Sequence, residues 1–160
     1  MRRREFVTVL GGATATWPLV ARAHVWLRRV LLAVAAFETL VGLIDLAVFV
    51  PDIDINARLF IHPFLAIAAL VLAARGYLRA AIVVLAAYIL VALAFGWSLD
   101  FALGGLSLLD QQVIFGLGAV IAIVLAISDK LLWLGAVFVA LPSANLLWGM
   151  IPLILFTMGS

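Results

Sequence analysis

From Leu131 to Phe156 the chain runs LLWLGAVFVALPSANLLWGMIPLILF without one charged side chain. No other feature limits the possible folds so strongly. A helix satisfies its own backbone N–H and C=O groups, so it is the natural form for a run whose surface must meet hydrocarbon or other apolar helices. The rest of the sequence repeats the pattern. Hydrophobic residues make up 68% of the 160 and charged residues 11%, whereas a soluble domain is about half apolar and roughly a quarter charged. One small core cannot hide that much apolar surface from water, so lipid is the expected solvent.

A hydrocarbon layer of ~30 Å needs about 20 helical residues at ~1.5 Å each. Five segments meet this requirement: residues 30–50, 57–75, 80–97, 112–128, and a last one from residue 131 to about 150. Gly76 follows the second segment and suits the left-handed position just past a helix end. The final run is too long for one straight crossing, and Pro142, Gly149 and Pro152 are places to bend or stop it. Residues beyond about 150 are therefore expected to form an interfacial tail. The expected fold is all-α, a polytopic transmembrane helix bundle of about five spans. Four is the alternative if the last two segments form a shallower hairpin, since only Ser128, Asp129 and Lys130 separate them.

The charges orient these spans. If the end bearing Arg28 and Arg29 is cytoplasmic, the cytoplasmic segments hold Arg2, Arg3, Arg4, Arg22, Arg28, Arg29, Arg75, Arg79 and Lys130. The outer loops then hold only Arg58 among basic residues, together with Asp52, Asp54, Asp100 and Asp110. Nine basic residues against one is a strong positive-inside asymmetry. It predicts a multi-pass inner-membrane protein with a cytoplasmic N-terminus. Trp26 and Trp133 fall at the inner interface, and Trp97 and Trp148 near the outer one, as in aromatic belts. No basic stripe suggests nucleic-acid binding.

The first residues carry a conflicting signal. Arg3-Arg4-Glu5-Phe6, the weakly apolar VTVLGGATATWPLVA and Ala21-Arg22-Ala23 resemble a twin-arginine export signal of the bacterial type, including its cleavage site. The resemblance covers residues 1–23, and lacks a Ser or Thr before the arginines and a Lys after Phe6. Cleavage at Ala23 would put His24 to Arg29 outside and invert the basic count. Three resolutions follow: a start-site or fusion relic, a working signal with an unusual topology, or a segment lying on the cytoplasmic face. The chain thus divides into a signal-like segment, 1–23, and a transmembrane helical domain, 24–160. With Gly11-Gly12, Pro18 and no helical stripe, residues 1–23 are expected to pack little against the helices.

Ionisable residues inside lipid are costly and mark either function or interhelical adhesion. Glu38 and Asp45 lie seven apart on one face, and Ala35, Glu38, Gly42 and Asp45 form a narrow stripe of small and acidic residues. Gly118, Ala122 and Ala126 form a second small-residue stripe suited to close helix approach. His62 precedes Pro63, which frees the Leu59 carbonyl, so His62 reads either as an interface-level residue bonded to that loosened backbone or as part of a site. Counting ~1.5 Å per residue from the inner ends puts Asp45, His62 and Asn145 near one level, about 20–22 Å up, and Glu38 and Tyr88 near another, about 12 Å up. The expected polar cluster is therefore Glu38, Asp45, His62, Tyr88 and Asn145. Asp45 should approach His62 or Asn145, and Glu38 should approach Tyr88. Gly104-Gly105 reads as an outer loop, since a phosphate-binding fingerprint needs a strand before it and a helix after.

The stretch LVLAARGYLRAAIVVLAAYILVALAF resembles the middle of DoxX-like small membrane proteins, and Leu27 to Asp45 is similar to their first span, with Gly42 at the characteristic glycine. The resemblance covers residues 27–127 and implies four spans, where this chain has a fifth, and a lysine near the position of Asp45. Some members are linked to oxidoreductase complexes, but no residue here carries that chemistry over. Without cysteine, and with His24 and His62 as the only histidines, no thiolate or His-rich metal site is expected, nor any cofactor. The leading expectation is a non-enzymatic DoxX-like or accessory subunit whose partners are the lipid bilayer and a homo-oligomer or larger membrane complex. An oligomeric proton-coupled carrier or channel using Glu38, Asp45 and His62 is the alternative. A quinone or haem enzyme comes third, since only His62 of the two histidines lies in a span.

Overall fold

The computed structural model describes residues 24–44, 46–47, 57–94, 108–129 and 131–158. The signal-like segment 1–23, Asp45, the acidic Asp52, Asp54 and Asp100, Lys130, Trp97 and the Gly104-Gly105 loop lie outside the described residues, as does the side chain of Arg58. The described chain is an all-α bundle of five helices: α1 over residues 24–44 with 46 and 47, α2 Ala57–Ala74, α3 Leu78–Ala94, α4 Leu108–Ser128 and α5 Leu132–Met158.

Three helices extend earlier than their apolar runs suggest: α1 is already helical at residue 24 rather than 30, α3 starts at Leu78 rather than 80, and α4 at Leu108 rather than 112. The physical reason is shared. A charge ends an apolar run but not a helix, because arginine is a good helix former and an acid is favoured in a first turn. Arg28 and Arg29 sit inside α1, Arg79 inside α3, and Asp110 in the first turn of α4 instead of a loop. In α1 the buried stripe simply continues past the arginines through Leu27 and Leu31.

α5 departs further from expectation. It runs unbroken for 27 residues through Pro142 and Pro152, so residues after 150 continue the helix. Each proline forfeits one backbone hydrogen bond. Unwinding would expose more unpaired backbone in an uncharged, apolar stretch, and the continuous helix avoids that. At ~1.5 Å per residue α5 is about 40 Å long. The α4–α5 connection reverses direction through Asp129 and Leu131, both left-handed at φ 56 and 50. Among the described residues, the two helical stretches long and apolar enough to cross a membrane are Leu109–Ser128 and Leu132–Gly149. Each helix of this hairpin is thus long enough for a crossing. Phe60–Ala74 and Leu78–Ala94 are shorter apolar helices.

Helix α3 is the centre. It packs on α2, α4 and α5, and it meets α1 through Tyr88. Apolar on all sides, it suits a surrounded position. The interior mixes alanines, with Ala35, Ala66, Ala81, Ala119, Ala122 and Ala136 fully buried, and larger side chains such as Leu31, Ile82, Leu85 and Val139. Small side chains let helix axes approach closely. A Cβ at Gly118 would stand 3.2 Å from Phe138 Cδ1, and one at Gly135 would stand 3.5 Å from the Ala122 carbonyl, so α4 and α5 meet along the predicted Gly118–Ala122–Ala126 stripe. The large apolar side chains face outward: Phe64 is 70% exposed and Ile127 73%, with Leu117, Val124 and Trp148 similarly placed.

One end of the bundle is basic. Helix α2 closes with Gly76 at φ +83, Gly76 N–H donating to the Ala73 carbonyl at 3.1 Å and Tyr77 N–H to the Leu72 carbonyl at 2.9 Å, the paired bonds of a Schellman cap. The Ala74 carbonyl, the next acceptor at this negative helix end, receives the Arg28 guanidinium from α1. Arg79, just into α3, pairs with Asp129 at the end of α4. Four arginines, Arg28, Arg29, Arg75 and Arg79, are thus exposed at one end.

Candidate functional site

The stripe Ala35–Glu38–Gly42 on α1 faces inward. Ala35 is fully buried, Glu38 is 6% exposed and Gly42 is buried, with Asp45 outside the described residues. Each oxygen of the Glu38 carboxyl accepts a hydroxyl from a different helix. Tyr88 of α3 donates to Oε2 at 2.5 Å, and Ser143 of α5 donates to Oε1. Leaving a buried carboxyl without such donors is unfavourable, so α1, α3 and α5 are tied at one point. The Tyr88 ring in turn stacks on His62 of α2, ring centroids 4.0 Å apart and planes 30° apart. All four side chains are buried.

Gly42 brings α2 into this arrangement. A Cβ there would lie 3.2 Å from Pro63 Cα, 3.3 Å from Pro63 Cβ and 3.4 Å from His62 Nδ1. Those contacts are tighter than ordinary packing, so hydrogen at that position lets α1 and α2 approach closely beside His62. The helix α2 continues through Pro63, and the His62 ring is buried inside the bundle.

The structure therefore brings Glu38, Tyr88 and His62 together and adds Ser143, which the sequence reading passed over. The expected approach of Asp45 to His62 or Asn145 falls on Asp45, outside the described residues. Two residues along a helix is about 200° of rotation, so with Ser143 turned inward Asn145 turns away and is half-buried. The expected separation into two levels does not hold for His62. With the observed helix ends, Tyr88 lies ten residues into α3 from Leu78, and His62 lies twelve residues back from Ala74 at the end of α2. Those are about 15 and 18 Å from the same end, near enough to stack. Ser143, eleven residues from Leu132, is about 16 Å up. The missed signal was thus depth: counted from true helix ends, Ser143 shares the level of Tyr88. Buried Gln111 was also passed over, because α4 was expected to begin after it.

Chemically, the cluster is a buried acid with two hydroxyl donors and an imidazole stacked on one of them. It can lock helices, and it presents exchangeable protons on adjoining groups. No set of three His, Cys, Asp or Glu residues that could hold a metal occurs among the described residues. Comparison of the chain with protein-family models, with curated proteins and with solved structures finds no significant match.

Proposed function

We propose that this chain is a small multi-pass protein of the bacterial inner membrane, N-terminus cytoplasmic, acting as a non-enzymatic DoxX-like or accessory subunit held together by its Glu38 centre. The observation that carries the reading is the outward surface of the bundle. Large apolar side chains such as Phe64, Ile127 and Phe156 face out, while the polar Glu38, His62 and Ser143 lie inside. A monomeric soluble protein rarely exposes so much contiguous apolar surface. The aligned arginines at one end agree with a cytoplasmic face. Within that frame Glu38 serves as interhelical adhesion, since its two acceptor oxygens are each used by another helix.

A second reading, an oligomeric proton-coupled carrier or channel, is favoured by the contiguity of His62, Tyr88 and Glu38. Five short helices are few for a monomeric pathway, so this reading requires several copies. Proteoliposomes holding a pH-sensitive dye separate the two. Equal proton leak through wild type and Glu38→Gln supports the structural role. Flux in wild type that Glu38→Gln abolishes overturns it in favour of the carrier. Release of the chain from membranes by alkaline carbonate would defeat both.

A further inference from the structure

We propose that the arginine rim binds the phosphate headgroups of anionic phospholipid, an inference that rests on the membrane reading above. Arg28 reaches from α1 to the Ala74 carbonyl, which places it beside Arg75, the next residue in the chain; Arg29 follows Arg28. Arg28 and Arg75 therefore lie together at the capped end of α2, with Arg29 next in α1. Arg79 stands four residues beyond Arg75 and is matched by Asp129. Among the described residues neither Arg29 nor Arg75 makes an ion pair, and both side chains are exposed. Arg28 already neutralises the negative end of α2, so the remaining positive charge is available to an outside anion.

The position of the rim identifies which anion. Trp26, Tyr77 and Trp133 lie within a turn or two of these arginines along the chain or at the same bundle end, and they are 54%, 62% and 53% exposed. Exposed Trp and Tyr of this kind are suited to the headgroup level, with the ring toward the acyl chains and the polar edge toward water. Beyond them the outward faces are apolar, with Val71 and Ile127 exposed one turn or so away. Guanidinium groups just outside an aromatic collar coincide with the phosphate layer of a leaflet, where planar fork geometry favours phosphate oxygens. A nucleic acid or a soluble phosphate ester would have no use for the collar.

The test uses the full chain purified in detergent, with phosphatidylglycerol and phosphatidylcholine supplied at equal concentration and retained lipid counted by native mass spectrometry. Wild type is expected to retain phosphatidylglycerol preferentially. Arg29→Gln with Arg75→Gln should lower that retention about twenty-five-fold, the product of roughly fivefold per arginine, with phosphatidylcholine unchanged. Arg28 stays intact so that the α2 cap is kept, and equal thermal midpoints for the two proteins show that the fold is kept as well. If the double variant does lose its fold, Arg29→Gln alone should still lower retention about fivefold. Equal retention of the two lipids by wild type, or an unchanged preference in the folded variant, overturns the proposal. Displacement of the lipid by millimolar inorganic phosphate also overturns it, by showing a free-anion site. Lack of preference in a chain that resists carbonate extraction defeats this inference alone; a chain that carbonate releases defeats the membrane reading first.

Discussion

The Tyr88 hydroxyl donates to Glu38 Oε2 at 2.5 Å, joining α3 to α1 across 50 residues of sequence. Removing the hydroxyl in Tyr88→Phe leaves Ser143 as a donor to the carboxyl, and the loss should be about 1 kcal/mol, typical of polar contacts between helices in an apolar medium. Glu38→Leu is the harsher change. It strands two buried hydroxyls and should destabilise by about 2–4 kcal/mol. Equilibrium unfolding of detergent-solubilised protein in increasing SDS measures both; equal stability of Glu38→Leu and wild type would remove the tie from the account.

Gly42→Ala tests the α1–α2 approach. Its Cβ would press on Pro63 Cα at 3.2 Å, and backbone does not yield as a side-chain tip does. The expected penalty is about 1–3 kcal/mol, with His62 moved off Tyr88. Gly116→Ala is the control, its nearest neighbour being Leu93 Cδ1 at an ordinary 3.7 Å. A fall in thermal midpoint for the first and little change for the second is the predicted result.

At Gly76 the constraint is conformational. A Cβ there meets nothing within 4 Å, yet φ is +83. Gly76→Ala should therefore destabilise by about 1 kcal/mol through backbone strain alone, and Gly76→Asn by less, because asparagine tolerates the left-handed region better. Matching thermal midpoints for alanine and wild type would contradict the Schellman geometry.

Topology can be read directly, because the natural chain has no cysteine. Single cysteines at Asp54 and Arg75, treated with an impermeant thiol reagent in intact cells, should label at 54 and not at 75. The reverse pattern would overturn the cytoplasmic N-terminus and turn the arginine rim outward.

Deleting residues 1–23 should leave the helical body folded and membrane-inserted, since the segment is weakly apolar and without a helical stripe. A truncated chain that fails to accumulate in membranes, while the full chain does, would assign the segment a necessary role.

Much of the bundle was legible from local pattern. Apolar runs located five helices, Gly76 marked the end of α2, and the two small-residue stripes turned inward as their spacing implied. Glu38 and Tyr88 could be paired before any coordinates because depth along a helix is a matter of counting at a fixed rise. The errors came from where counting began. Charges were read as helix ends, which displaced the starts of α1, α3 and α4 and hid both Ser143 and the His62–Tyr88 stack.

By itself, the sequence determined that this chain forms apolar helices, which face of α1 carries the acid, and roughly how deep each polar group lies. Those properties follow from composition and from a constant rise and turn per residue. Packing between helices alone settled that Ser143 completes the Glu38 centre, that His62 stacks on Tyr88, and that Arg28 closes the end of α2. Each of these depends on how one helix is rotated and offset against another. That is set by contacts such as Gly42 on Pro63, between residues far apart in the chain, and no single helix encodes it.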